Sequence, residues 1–199
     1  MIAVLTGDIK NSTAHSSALW LPLLKGALDH FGKEPSDWEI YRGDSFQLKT
    51  APEMALEASI HIKASLKQIR HMDVRIAIGL GKQSYRAEKL TESNGEAFVN
   101  SGQCFETLKK YSLAIKGPDD RLDHHINLLL ELALLTMDHW TPAQAKTVKT
   151  ALEHPQMNQN QLASLLKKSQ GNISEELKKA GFEEVKKMIQ FYRTQIQGT

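Results

Sequence analysis

The sequence predicts an α+β chain: a ferredoxin-like antiparallel sheet with helices on one face, followed by an all-α part. Three observations predict it. First, up to residue 118, short apolar strand patterns and amphipathic helical stripes follow the order strand, helix, strand, strand, helix, strand, helix, strand. The beginning of that order is the split βαβ arrangement of ferredoxin-like folds. Second, after Pro118 the periodicity is helical throughout. Third, charge divides the same way. Thr141–Thr199 holds nine Lys/Arg against five Asp/Glu, and the preceding residues hold sixteen against eighteen. A basic C-terminal third behind a mildly acidic front suggests two modules, one of them facing nucleic acid. The expected division is 1–118, a connecting apolar helix 119–140, and 141–199.

Composition sets the bounds. The chain has 199 residues, 41% hydrophobic and 24% charged, with a net charge of +2. That is ordinary for a soluble globular protein with a sizeable core. No apolar run approaches the roughly 20 residues that cross a membrane. The apolar N-terminal run is too short, and lacks the preceding basic region, for a signal peptide. A single cysteine, Cys104, excludes an internal disulfide and a cysteine-built zinc site. These features point to a bacterial-type cytoplasmic protein without a membrane partner.

Each element has a local cause. Ile2–Thr6 is apolar without alternation, as in a strand buried on both faces. It ends at Gly7-Asp8, and Asn11-Ser12-Thr13 opens a helix. Leu19, Trp20, Leu23, Leu24, Ala27, Leu28 and Phe31 form one apolar stripe over Ala14–Phe31, with Pro22 expected to kink it or reset its start. Trp38–Arg42 and Ser45–Lys49 alternate in polarity around Gly43-Asp44, a hairpin with an acidic tip. Pro52 precedes a second helix, Met54–Ile69. Asp73–Leu80 alternates as a strand, and Gly81–Ser93 is polar and reads as a loop. Gly95–Lys110 is a third helix, and Ser112–Ile115 a last strand. Asp119-Asp120 caps a helix running from Arg121 to Trp140. Its centre, Leu128–Leu135, is apolar almost all round and calls for burial between modules or in a homodimer. Thr141-Pro142 starts the helix Ala143–Leu152. Asn160–Lys167, a turn at Ser169–Asn172, Ile173–Lys179 and Phe182–Ile196 complete the chain, with Gly181 as a C-cap.

Two carboxylates at neighbouring strand ends repel unless a cation or a proton separates them. Mg²⁺ is commonly held by one or two carboxylates together with phosphate oxygens. Asp8, Asp44 and the free N–H groups at the Asn11–Thr13 helix start therefore suit a metal–nucleotide complex. The competing reading is that Gly-Asp dipeptides simply make turns and caps.

GDIKNST, YRGDSF, VRIAIGLG, GEAFVNSG and AIKG, in that order, resemble the catalytic domain of class III nucleotidyl cyclases. The chain is more similar still to the SatD family, small bacterial proteins with such an N-terminal region and a helix-turn-helix-like C-terminal part. The resemblance implies a cyclase-like domain in which Asp8, the Ile9 carbonyl and Asp44 hold Mg²⁺ or Mn²⁺. It further implies that Ile9–Thr13 hold phosphate and that Lys116 reaches a terminal phosphate. There are departures from the cyclase pattern. Ile40 stands where cyclases have a base-selecting lysine. Asn100 and Cys104, or Val99 and Gln103, stand where an asparagine and a transition-state arginine belong. Losing such an arginine costs about 10³ or more in rate, so the resemblance favours nucleotide binding over turnover.

In the C-terminal part, Leu162, Ala163, Leu166, Ile173 and Leu177 sit where the two helices of a helix-turn-helix pack. Ser169, Gln170, Asn172 and Ser174 would then face bases, with Lys168 and Lys178 among the lysines meeting phosphates. Glu175 and Glu176 oppose that arrangement, and a helical bundle for dimerisation is the alternative. The expected function is a regulator that pairs a metal- and nucleotide-binding domain with a DNA-binding one. An active cyclase or related phosphoryl-transfer enzyme is a second reading, and an interaction scaffold a third. Expected partners are a nucleotide or phosphorylated small molecule, DNA and a second copy of the chain. The dispersed histidines, with His124 and His125 on different helix faces, do not suit a zinc site. Trp20, Trp38 and Cys104 read as packing, and Trp140 as closing the junction between modules.

Overall fold

A computed structural model describes Met1–Gly198. It is an α+β structure with a mixed five-stranded sheet and, among the described residues, eight α-helices. No helix among them is long and apolar enough to cross a membrane.

Strand β1 (Ile2–Lys10) is central and buried over most of its length, as its unbroken apolar run demands. Helix α1 (Ser17–Asp29) leads to the hairpin of β2 (Trp38–Tyr41) and β3 (Ser45–Thr50). Arg42 and Gly43 turn that hairpin with φ of 52° and 86°. Helix α2 (Ala55–Leu66) crosses to β4 (Asp73–Gly81). A small pair, β5 (Gln83–Tyr85) with β6 (Asn94–Gly95), precedes α3 (Glu96–Thr107) and β7 (Leu113–Lys116). The sheet order is β2-β3-β1-β4-β7.

Several expectations are corrected. The sheet is mixed, because β4 and β7 run parallel while the other neighbours are antiparallel. Helices cover both faces rather than one. Leu5, Ile9, Ile76 and Ile78 share a buried cluster with residues of α1 and α2, whereas Ala77 packs with Cys104 and Leu108 from α3 and the residue after it. The cause lies in the glycines. A Cβ at Gly79 would come within 2.1 Å of the Ala97 carbonyl oxygen, so only a bare backbone admits α3 this close. The segment 81–93 is not all loop, since β5 lies within it. Asn11–Thr13 does not open α1. Ser12–Ala14 make a 3₁₀ turn, and α1 begins at Ser17, with Pro22 inside it.

Helix α4 (Asp120–Met137) is capped by the Asp119 side chain, as its sequence requires. Ile126, Leu130, Leu134 and Met137 are buried in the common cluster, while Leu128, Leu132 and Leu135 are exposed on the opposite face. Helix α5 (Pro142–Glu153) starts in a Thr141–Gln144 capping box, and α6 (Gln159–Leu166) in an Asn158–Gln161 box. Helix α7 (Gln170–Lys179) begins earlier than expected. Ser169–Asn172 is its first turn rather than a loop, because the Ser169 hydroxyl accepts from the Asn172 N–H. Gly181, at φ 65°, leads into α8 (Phe182–Gln197). A single buried cluster extends from Ala3 through α4 to Ile196. Trp140 closes the corner by donating from its indole to the Ala180 carbonyl at 2.8 Å.

Candidate functional site

The end of β1, the tip of the β2–β3 hairpin and the start of β4 meet at one end of the sheet. Asp8 is the direct cross-strand partner of Ser45 on one side and of Arg75 on the other. The Ile9 N–H donates to the Asp44 carbonyl at 3.2 Å, so the two acidic tips are immediate neighbours. The Ser12 hydroxyl donates to the Asp44 carboxylate at 2.5 Å, which ties the 3₁₀ turn to the hairpin tip. Asn11, at φ 62°, turns its side-chain amide to the His71 carbonyl, 2.8 Å away. Thr13 is exposed beside them.

Arg75 is the residue that sequence reasoning missed. Its Nε donates to Asp8 Oδ1 at 2.9 Å and its Nη2 to Oδ2. The guanidinium lies 5.2 Å from the centre of the Phe105 ring. Its hydrogen bond to Asp8 outweighs burial and raises its pKa further. The available signal was an arginine in DVRIAIGLG, a strand otherwise apolar after its first residue, but the signal needed the β1–β4 pairing to be read.

Two oxygen-rich tips supply donors of the kind that hold Mg²⁺ or Mn²⁺ with phosphate oxygens. The donor types fit a cation, with the Asp8 carboxylate balanced by Arg75 in its absence. A metal at Asp8 must therefore displace or share that guanidinium. Among the described residues no group of three or more His, Cys, Asp or Glu side chains gathers into a metal cluster.

The remaining predicted positions lie elsewhere. Lys116 pairs with Gly79, four residues further along β4 than the partner of Asp8, so roughly 13 Å of strand separates the two levels. Its ammonium donates to Gln103 at 2.5 Å. Asn100 is buried and donates to the Leu80 carbonyl at 2.7 Å, which pins α3 to β4. Burial pushes the Cys104 thiol up to about 11, in keeping with a packing role.

A second, buried charge group lies across the same sheet end. Lys63, with no exposed surface, donates to Asp73 at 2.7 Å, to Asp138 at 2.6 Å and to Ser112 at 2.9 Å. Lys67 donates to the Asp138 carbonyl at 2.7 Å and lies 3.4 Å from Asp73. Burial drives its ammonium below its ordinary pKa, against the pull of Asp73. Burial also resists ionisation of Asp138. The charge of Lys63 and the hydrogen bonds from Lys63 and Ser112 overcome this, and its carboxyl lies below its ordinary value.

In the helical part, α6 and α7 are joined through Lys167-Lys168-Ser169, with Leu162, Ala163, Ile173 and Leu177 buried between helices. Lys168 turns inward to Glu176 at 2.7 Å and Thr147 at 3.3 Å. Gln170 donates to Gln159 at 2.6 Å. Ser169 is the α7 cap, and Ser174 is half-buried. Asn172, Lys178 and Lys179 stand exposed on α7, with Glu175 paired to Lys179 at 2.6 Å.

Comparison with known proteins finds no matching family model and no matching curated protein.

Proposed function

We propose that this chain is a bacterial regulatory protein whose sheet end binds a nucleotide with Mg²⁺ or Mn²⁺ and whose α6–α7 pair contacts DNA. The carrying observation is the junction of the two acidic tips, with Asp8 opposite Ser45 and the Ile9 N–H on the Asp44 carbonyl. The strand order supports the ferredoxin-like, cyclase-like reading, since β1 lies between β3 and β4 and pairs antiparallel with both. Asp8 and Asp44 would hold the metal, with the Ile9 carbonyl beside them and Asn11, Ser12 and Thr13 near the phosphates. The cation would supply charge that neutralises phosphate oxygens between the two tips. Lys116, at the far level of the sheet, is left out of this site. Asn100 is held on Leu80 and no arginine follows in α3, so binding rather than turnover is the proposed role.

Calorimetry with nucleoside triphosphates and Mn²⁺, followed by product analysis, tests this. Metal-dependent binding that disappears in Asp8→Asn and in Asp44→Asn is expected, with the nucleotide recovered unchanged. Cyclic nucleotide would favour the enzyme reading instead. Absence of metal-dependent binding in the wild-type protein would remove both.

The exposed Asn172, Lys178 and Lys179 support the DNA reading, and the inward Lys168–Glu176 pair narrows the surface available for it. Retention of random-sequence duplex at about 50 mM salt, lost on Lys178→Glu, is the expected result.

A further inference from the structure

We propose that a cavity behind the sheet end, between β1, the α2–β4 connection and the α4–α5 corner, is an anion site for the phosphate group of a small phosphorylated molecule. Its volume is about 450 Å³, within the size range of small-molecule sites. Lys10, Lys67, Arg70, His71 and His139 contribute basic side chains, and Asn11 lies beside Lys10. The cavity's two carboxylates already have partners. Asp73 is held by Lys63, Lys67 and the Val74 N–H, and Asp138 by Lys63 and Ser112. Lys10, Lys63, Lys67 and Arg70 together outweigh Asp73 and Asp138 by two positive charges before either histidine is protonated. The side chains of Lys10 and Arg70 make no hydrogen bond or ion pair among the described residues, and Lys10 acts on Asp138 only through space, so most of this excess faces the cavity. Such an excess matches a phosphate dianion better than a single carboxylate. Met72, Trp140 and Pro142 give the cavity an apolar side suited to the body of an ester.

The placement also supplies a route of communication. Trp140 lines this cavity and bonds to Ala180, the residue that ends α7. A ligand contacting Lys10 and Arg70 beside Trp140 therefore joins the sheet end to the corner that carries α7. The site uses neither Asp8 nor Asp44 and needs no metal, and it shares only Asn11 with the metal–nucleotide reading.

The test is calorimetric titration of the full chain with inorganic phosphate and with a nucleoside monophosphate, in EDTA, with tryptophan fluorescence recorded in parallel. Binding by at least one probe, weakened tenfold or more in Lys10→Gln/Arg70→Gln and retained in Asp8→Asn/Asp44→Asn, is the expected result. Preference for the monophosphate would assign the apolar side to the ester, and equal binding would assign the site to free phosphate. No binding of either probe at about 10 mM would overturn the proposal, as would binding unaffected by the Lys10/Arg70 change. Loss in the Asp8/Asp44 variant would overturn the site's independence. Circular dichroism verifies that the variants fold, and neither changed cation makes a side-chain hydrogen bond or ion pair among the described residues.

Discussion

The guanidinium of Arg75 bonds both carboxylate oxygens of Asp8 and rests against Phe105, so it controls access to the first acidic tip. If Asp8 is a metal ligand, that guanidinium is a competing positive charge. Removing it in Arg75→Gln should tighten Mn²⁺ binding by about tenfold, because a like charge this close costs at least that much. Calorimetry measures it, and unchanged or weaker affinity would count against Asp8 as a ligand. At this scale the sequence was only half legible. Asp8 and Asp44 could be paired from polarity patterns, because strand ends and hairpin tips are local features. Arg75, Lys63 and Asp138 could not, because their partners come from distant elements. Lys63 even sits on a helix where an isolated lysine would be read as solvent-facing, and burial is tolerable only because two carboxylates and a hydroxyl converge on it.

Among the elements, α3 diverged most from expectation. Alternation in β4 suggests one wet face, but Gly79 and Gly81 turn that face into a seat for a helix backbone. The Thr6–Ser101 hydrogen bond at 3.0 Å and the Asn100–Leu80 bond complete the attachment. A methyl group at Gly79 must push α3 away, since the clashing Ala97 and Ser101 atoms include backbone. Gly79→Ala should therefore cost about 2 kcal/mol, the scale of overpacking in a close-packed core. Urea unfolding measures this, and a neutral result would show that α3 can shift freely. Capping chemistry was the most legible feature at Asp119 and Thr141, which start helices where their side chains predict, whereas the Asn158 cap, which starts α6 at Gln159 rather than Asn160, was not read. The start of α7 was obscured because Gly171 and Asn172 are turn formers. Ser169 nonetheless caps them into a helix, which removes Ser169 from a base-reading role.

Across the whole molecule, the front and rear parts share one core, which charge asymmetry and periodicity could not reveal. His61 of α2 is one of the ties: it bonds Glu153 of α5 at 3.0 Å and stacks on His30 at 5.0 Å between ring centres. Burial lowers its pKa to about 4. The unfolded chain takes up this proton near pH 6.5, whereas the folded one does so only near pH 4, so stability falls as pH drops through that window. The expected loss is about 2 kcal/mol by pH 5, from the linkage of a single shifted group. Urea midpoints at pH 7.5 and pH 5 should show the fall, and His61→Phe should flatten it. An equally steep fall in that variant would place the titration elsewhere.

Helix α2 has a consequence for biosynthesis. Every residue from Ala55 to Leu66 is buried except Glu57, and part of the helix's cover, beyond α1, β1 and β4, comes from far downstream. Tyr192 donates to the Pro52 carbonyl at 2.6 Å, Arg193 pairs with Glu57 at 2.5 Å, and Glu153 meets His61. While the ribosome is still making α5 to α8, the side of α2 that faces them stands uncovered. Until α5 and α8 emerge, that side of α2 is the kind of transiently exposed surface that is prone to aggregation.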